Sequence, residues 1–505
     1  THTWTPDSKI IRTTWETAWT TIGLCNTLLV DLESLDAASL KMTAEKLNTY
    51  IGEVRTLRAW AYYNIFEIWG GALPLNISVG TDIPPTADPD FDTSCKKIYS
   101  FIISELDDCV NDLNKNDVNR MNQAVNRIIK ARLLLNSEVF IKENHYAECA
   151  TLCQELLDNK YGTYSIAEDY RDIYSIDNIN CPEVIMAFAF EIGQLNGGWM
   201  RDMPFLPYNI WDYFGGTYQQ SPWNCVCLTP SFDNSGNVNT YGGTDNPKCF
   251  LDAPYNDKLG AIYERYDDRD IRKQNYIYDE TSNSYKGMFL KGAIKANYGT
   301  GEALTADADR DGQPIVYVDQ VGTFMNKGRN LEDVMSPRWG ETTSGVRLVK
   351  YPIYPATTGI DFQDIDEVEF RLSEVVYMLA ECKYRSGYKK EAANLFNEVR
   401  KRNFENEVDP DPVTETNIDK YRILDEWMVE FLGEQRRRTD LRRWGLYTTG
   451  TWWDHKATND DHYELFPIPE KSISVSNVLR QNPGYGGGNE MTKEEAGIYS
   501  VKQID

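Results

Sequence analysis

Two widely separated stretches of this 505-residue chain open a helix in the same way. Tyr146-Ala147-Glu148-Cys149-Ala150 and Tyr388-Lys389-Lys390-Glu391-Ala392 each follow a long helical pattern and a short break, and each begins a second amphipathic stretch. Gly387 supplies the break in the later copy, and Ala380 places a small residue where two helices must approach closely. A helix–turn–helix unit cannot bury its apolar stripe alone, so such units stack and share a core, the logic of tetratricopeptide-like repeats. Four units fit, interrupted by a long insertion; a set of bare helix hairpins is the alternative.

Apolar spacings of three and four predict helices over about 8–30 (Ile11, Trp15, Ala18, Trp19, Ile22) and 50–69 (Val54, Leu57, Ala61, Ile65, Ile68). Pro6 and Asp7 precede the first; Gly70-Gly71 and Pro74 end the second. Similar patterns cover about 95–113, 122–141, 145–158, 366–386, 389–403 and 418–435. From about 160 to 365 the texture changes to Pro, Gly, Asn, Asp and aromatics, with β-prone runs at Glu183–Phe188 and Ile315–Val318. The fold class expected is mostly α: tetratricopeptide-like helical repeats framing a loop-rich insertion with short β-strands. One domain is expected over 1–505, with the scaffold at 8–158 and 366–445, the insertion at 160–365 and an irregular C-terminal segment at 446–505.

The bulk numbers exclude whole classes of partner. A formal net charge of −25 leaves little to neutralise phosphates, which argues against nucleic acid or an anionic membrane surface. The one basic run, Arg436-Arg437-Arg438 with Arg442-Arg443, is short and is expected to pair with nearby acids. No stretch approaches the roughly 18 apolar residues of a membrane span. The ten cysteines fit neither a disulfide scaffold nor a zinc site; Cys149 and Cys153, four apart on a helix, pair or sit in core. Thirteen Trp and 31 Tyr exceed what a core of this size needs, and flat rings with polar tips suit the C–H faces of sugars.

Three segments carry a family resemblance: Gly52-Glu53-Val54-Arg55-Thr56-Leu57-Arg58-Ala59-Trp60-Ala61-Tyr62-Tyr63, Arg371-Leu372-Ser373-Glu374-Val375-Val376-Tyr377-Met378-Leu379-Ala380-Glu381, and Gln481-Asn482-Pro483-Gly484-Tyr485. In that order and separation they resemble the SusD/RagB family of surface nutrient-binding lipoproteins of Bacteroidetes. Trp69–Leu75, the helix ending Asn397-Glu398-Val399-Arg400, the segment Glu430–Gly445 and Phe466-Pro467-Ile468-Pro469 extend the match, with Gly433 and Gln435 departing slightly from the usual wording. The resemblance implies no enzyme. It implies a cell-surface protein of polysaccharide utilisation that traps an oligosaccharide and passes it to a SusC-like TonB-dependent transporter in the outer membrane. The RagB branch implies peptide as the alternative cargo. Anchoring would come from an N-terminal lipid that this chain, starting at Thr1, does not include.

The sharpest local motif is Asp307-Ala308-Asp309-Arg310-Asp311-Gly312-Gln313, with Asp319 beyond. Alternating carboxylates with Gly at the sixth position match the first half of an oxygen-rich Ca²⁺ loop. Val318 stands at the twelfth position in place of Glu, so Asp307, Asp309, Asp311, Gln313 and Asp319 are either a structural Ca²⁺ site or an ordinary acidic turn. For ligand, the loop aromatics Trp199, Trp211, Tyr213, Tyr218 and Trp223 stand out among Arg201, Asp212 and Asn224, with Arg338-Trp339 and Trp4 as further candidates. Each stacks on ligand or packs loop onto scaffold. With four histidines and no nucleophile motif, catalysis has no evident seat; a glycoside hydrolase working through two of the 77 carboxylates is the remaining enzymatic alternative.

Overall fold

The computed structural model describes residues 4–71, 73–77, 79, 91–195, 203–207, 210–215, 222–224, 226–228, 259–260, 262–279, 281–282, 284–305, 314–317, 345–452, 457–487 and 489–498. The chain starts with long helices α1 (Lys9–Ser34), α2 (Ala44–Trp69) and α3 (Phe91–Cys109). Thr43 caps α2 by accepting from the Lys46 N–H, and Gly70, in the left-handed region at φ 83°, ends it. Asn122 caps α4 (Gln123–Leu135), a break at Asn136 leads into the short α5 (Ser137–Ile141), and α6 (Tyr146–Leu157) follows. A four-residue helix, α7 (Ile210–Tyr213), lies in the insertion. The scaffold resumes with α8 (Leu372–Arg385), α9 (Lys389–Arg400), α10 (Lys420–Glu430) and α11 (Arg437–Arg443).

These helices stack in series: α1 on α2, α2 on α3, α3 on α4, α4 on α6, α6 on α8 and α8 on α9. The repeat stack therefore runs from α6 directly to α8, although more than 200 residues separate them in sequence. Three buried thiols mark that junction: Cys149, Cys153 and Cys382 are all free, with the first two sulfurs 4.0 Å apart. The last sequence motif staples the frame from outside. Asn482 Nδ2 donates to the Trp69 carbonyl (3.0 Å) and to the Phe466 carbonyl (2.7 Å), fixing the end of α2.

Two expectations need correction. Residues 367–371 are a strand and not the start of a helix. The run Glu367-Val368-Glu369-Phe370 alternates outward and inward with period two, and it pairs antiparallel with Val184–Phe188. Helix α10 stops at Glu430 rather than near 435, because Gly433 and Gln435 both adopt left-handed backbone.

Eight short strands occur among the described residues: β1 (Val184–Phe188), β2 (Ile277–Asp279), β3 (Ser284–Lys286), β4 (Phe289–Leu290), β5 (Gly292–Ala293), β6 (Val316–Tyr317), β7 (Arg347–Leu348) and β8 (Glu367–Arg371). They pair two by two, β1 with β8, β2 with β3, β4 with β7 and β5 with β6. The insertion has its own hydrophobic cluster, rich in buried tyrosine. Tyr213, Tyr266, Tyr276 and Tyr285 turn their hydroxyls onto the backbone carbonyls of Tyr276, Val429, Ile353 and Arg171. Irregular backbone leaves carbonyls unpaired, and a phenol both fills space and reaches them. Much of the aromatic excess is spent on this core.

Ion pairs join insertion to scaffold. Arg371 (β8) meets Glu183 at 3.0 Å, Glu430 at 2.7 Å and Glu434 at 2.9 Å; Arg402 also bridges Glu183 and Glu430, and Arg272 bridges Asp270 and Glu430. Four of the five arginines of the basic run are paired as expected: Arg443 with Glu381 and Asp440, Arg442 with Glu464, Arg438 with Glu67 and Arg436 with Glu374; Arg437 instead donates to the Leu424 carbonyl.

Candidate functional site

A cavity of about 840 Å³ lies on the seam between helical scaffold and insertion. One wall comes from the last turns of α2, where Trp60, Tyr63, Asn64 and Glu67 recur at helical spacing, and from Arg132 on α4. A second comes from β8 and the start of α8, with Glu367, Glu369 and Glu374. The loop joining α10 to α11 and the first residues of α11 supply Gly433 to Arg437. The insertion closes the far side with Pro204, Phe205, Trp223, Ile262, Lys350 and Tyr351.

The aromatic groups are placed by packing. Trp60 stacks on Phe188 of β1 (centroids 6.0 Å, planes 22° apart) and leans on Phe370 of β8 at 5.7 Å. Trp223 is 41% exposed, and its backbone N–H donates to the Met203 carbonyl, tying the two insertion segments that carry Phe205 and Trp223.

The charged groups are mostly matched within the wall. Arg132 clasps Glu374 through Nε (2.6 Å) and Nη2 (2.8 Å) and reaches Glu369 at 3.3 Å, while Arg436 takes Glu374 from the other side. Burial alone would push the Glu374 carboxyl up; the two guanidiniums more than reverse this and hold it at about 2. Glu434 behaves alike: burial raises it, and Arg371 with Lys350 brings it to about 2. Glu369 goes the other way, because burial outweighs its single long contact with Arg132 and lifts it to about 7. Arg437 donates to the Leu424 carbonyl at 2.7 Å and has no carboxylate within 4 Å among the described residues.

Of the residues singled out from sequence, Trp223 lines this cavity. Asn224, one residue on, accepts from Arg347 at 2.6 Å. Trp211 packs on Phe214, Tyr213 is buried, and Asp212 presents its carbonyl to the Asn297 N–H, all within the insertion core. Trp4 is remote: it packs on Phe466 and Tyr463 and donates to the Tyr485 hydroxyl at 2.8 Å. Trp199, Arg201, Tyr218, Arg338, Trp339 and the acidic positions Asp307, Asp309, Asp311, Gln313 and Asp319 lie outside the described residues. Among the described residues no group of three or more His, Cys, Asp or Glu is placed to hold a metal ion, and no helix is long and apolar enough to cross a membrane.

Sequence reasoning missed Trp60, Asn64, Gln435 and the charged residues of this wall. Trp60 and Asn64 sit on a regular amphipathic helix and read as scaffold; only the insertion folding over them makes them a wall.

The SusD family model matches residues 182–485, more than half of the chain. The protein belongs to the SusD family. Its relatives include the starch-binding protein SusD of Bacteroides thetaiotaomicron, 26% identical over 95% of this chain and 80% of that one. In fold it is similar to a SusD superfamily protein from Parabacteroides distasonis, with a TM-score of 0.64 at 17% identity over 95% of this chain and 87% of that one. A laminarin-binding SusD-like protein aligns at a TM-score of 0.55 and 18% identity, over 94% and 86%. The segments that carry the resemblance serve this SusD-family frame: Glu381 anchors Arg385 and Arg443, and Gln481 pairs both ways with the backbone of Ile468.

Proposed function

We propose that this SusD-family protein is a cell-surface glycan-binding protein, not an enzyme, that captures an oligosaccharide in the seam cavity and passes it to a SusC-like TonB-dependent transporter of the outer membrane. The observation that carries the reading is the cavity of about 840 Å³ with Trp60 and Trp223 in its walls, a volume suited to a short oligosaccharide. Aromatic faces supply contact with sugar C–H groups, and polar groups in the walls meet hydroxyls. Relatives described as binding starch and laminarin support the same class of cargo. A lipid anchor upstream of Thr1 belongs to this reading, as does a Ca²⁺ ion on the Asp307–Gln313 run that stiffens the insertion. The alternating carboxylates support the ion, and a melting temperature that falls on chelation and returns with Ca²⁺ checks it.

The test is calorimetric titration of the chain against neutral oligosaccharides and short peptides. Saturable heat with one glycan class, weakened in a Trp223→Ala variant of unchanged stability, supports glycan capture at the seam. Heat with peptides alone replaces the reading with peptide import.

A further inference from the structure

We propose that Gln435 is a specificity-determining ligand contact of the seam cavity, and that the ligand it selects is a neutral, polyhydroxylated sugar chain rather than an acidic one. This rests on the glycan-binding reading above. The loop between α10 and α11 carries two left-handed residues, Gly433 at φ 83° and Gln435 at φ 57°, on either side of Glu434. Glu434 turns inward, where it takes the Tyr174 hydroxyl at 2.9 Å and Arg371 and Lys350. Those three partners come from the insertion and from β8, so the loop is pinned from both sides of the seam. Gln435 turns outward, exposed, into the cavity wall.

Among the described residues, Gln435 is the one non-glycine residue of that wall with positive φ. Left-handed backbone costs a side chain energy that glycine escapes, and such strain persists where the side chain is useful. Its usefulness is not internal: among the described residues the Gln435 amide makes no hydrogen bond. A carboxamide offers two donors and an acceptor, the complement of adjacent sugar hydroxyls. The neighbouring charges are already neutralised, Glu374 by Arg132 and Arg436, and Glu434 by Arg371 and Lys350. Among the described residues an anionic sugar would find little open positive charge there except Arg437, which faces Asp425 at longer range.

The deciding experiment compares wild type with Gln435→Gly, Gln435→Asn and Arg437→Gln by calorimetry and thermal melting, using a malto-oligosaccharide, a laminari-oligosaccharide and an oligogalacturonate. The expected result is that wild type binds a neutral oligosaccharide and that Gln435→Gly weakens it about fivefold, the worth of a hydrogen bond, without a lower melting temperature. Gln435→Asn keeps part of the affinity. Neutral-sugar binding untouched by Gln435→Gly overturns this proposal alone. So does a preference for oligogalacturonate that Arg437→Gln abolishes. A wild-type chain that binds no sugar overturns both this proposal and the reading beneath it.

Discussion

Arg371, the last residue of β8, donates to Glu434 in the loop after α10 at 2.9 Å, and neither side chain meets bulk water freely. The contact links the strand that closes the insertion to the loop that lines the cavity. Replacing Arg371 by Met leaves Glu183, Glu430 and Glu434 without their shared cation. A loss of about 3–5 kcal/mol is expected, the cost of breaking a buried pair from one side. Urea unfolding followed by circular dichroism measures it, and a loss below about 1 kcal/mol would mean that water replaces the guanidinium.

The two cavity tryptophans differ in what else they do. Trp223 stands at the rim, so Trp223→Ala should cost ligand affinity and little stability. Trp60 also packs on Phe188 and Phe370, so Trp60→Ala should cost ligand affinity and roughly 3 kcal/mol of stability besides. Equal melting temperatures for the two variants would contradict this placement.

Acid sensitivity follows from the inward carboxylates. Burial pushes Glu374, Glu381 and Glu434 up, and their arginine partners, with Lys350 at Glu434, bring each down to about 2 from an ordinary 4.5. Folding therefore sheds protons: the stability they contribute is full above 4.5 and is lost as pH falls toward 2. Glu369 opposes this, since its carboxyl is raised to about 7; its contribution is full below 4.5 and is lost as pH rises through 7. Melting temperatures across this range should show a steep acid limb, and Glu369→Gln should flatten the neutral limb alone.

Close approach dictates Gly71. A β-carbon there would lie 2.3 Å from Cys95 Sγ and 2.8 Å from Cys95 Cα, backbone that cannot step aside. Gly71→Ala should destabilise by about 1–3 kcal/mol through overpacking of the turn after α2 against α3. A variant that melts like wild type would show that α3 can shift.

The helical frame was legible because its signals are local: Ile11, Trp15 and Ile22 recur at helical spacing, and Tyr146 and Tyr388 open matching helices. The strand at 367–371 was not. Its alternation runs for four residues before Leu372, Val375, Val376 and Leu379 take up a helical period, and its partner Val184–Phe188 lies far off in sequence. Trp223 could be singled out because a tryptophan in an irregular loop has no periodic reason to be there. Gln435 could not, since nothing in its neighbours announces a left-handed backbone until the loop is seen in space. The tyrosines looked available for ligand because their actual partners, backbone carbonyls such as that of Ile353, leave no mark on composition.

The pairing of β1 with β8 sets Val184 opposite Arg371, so the chain leaves the frame and re-enters it through neighbouring doors. Closing a loop whose ends are already together depends only weakly on its length, about 0.6 kcal/mol for each doubling. Outside the residues that tie it to α10 and the loop after it, such as Tyr266, Arg272 and Lys350, the segment between those doors can therefore be lengthened, shortened or rewritten with little strain on the helices that hold it. Descendants of one ancestor could thus acquire new cargoes by editing the guest while leaving the host untouched.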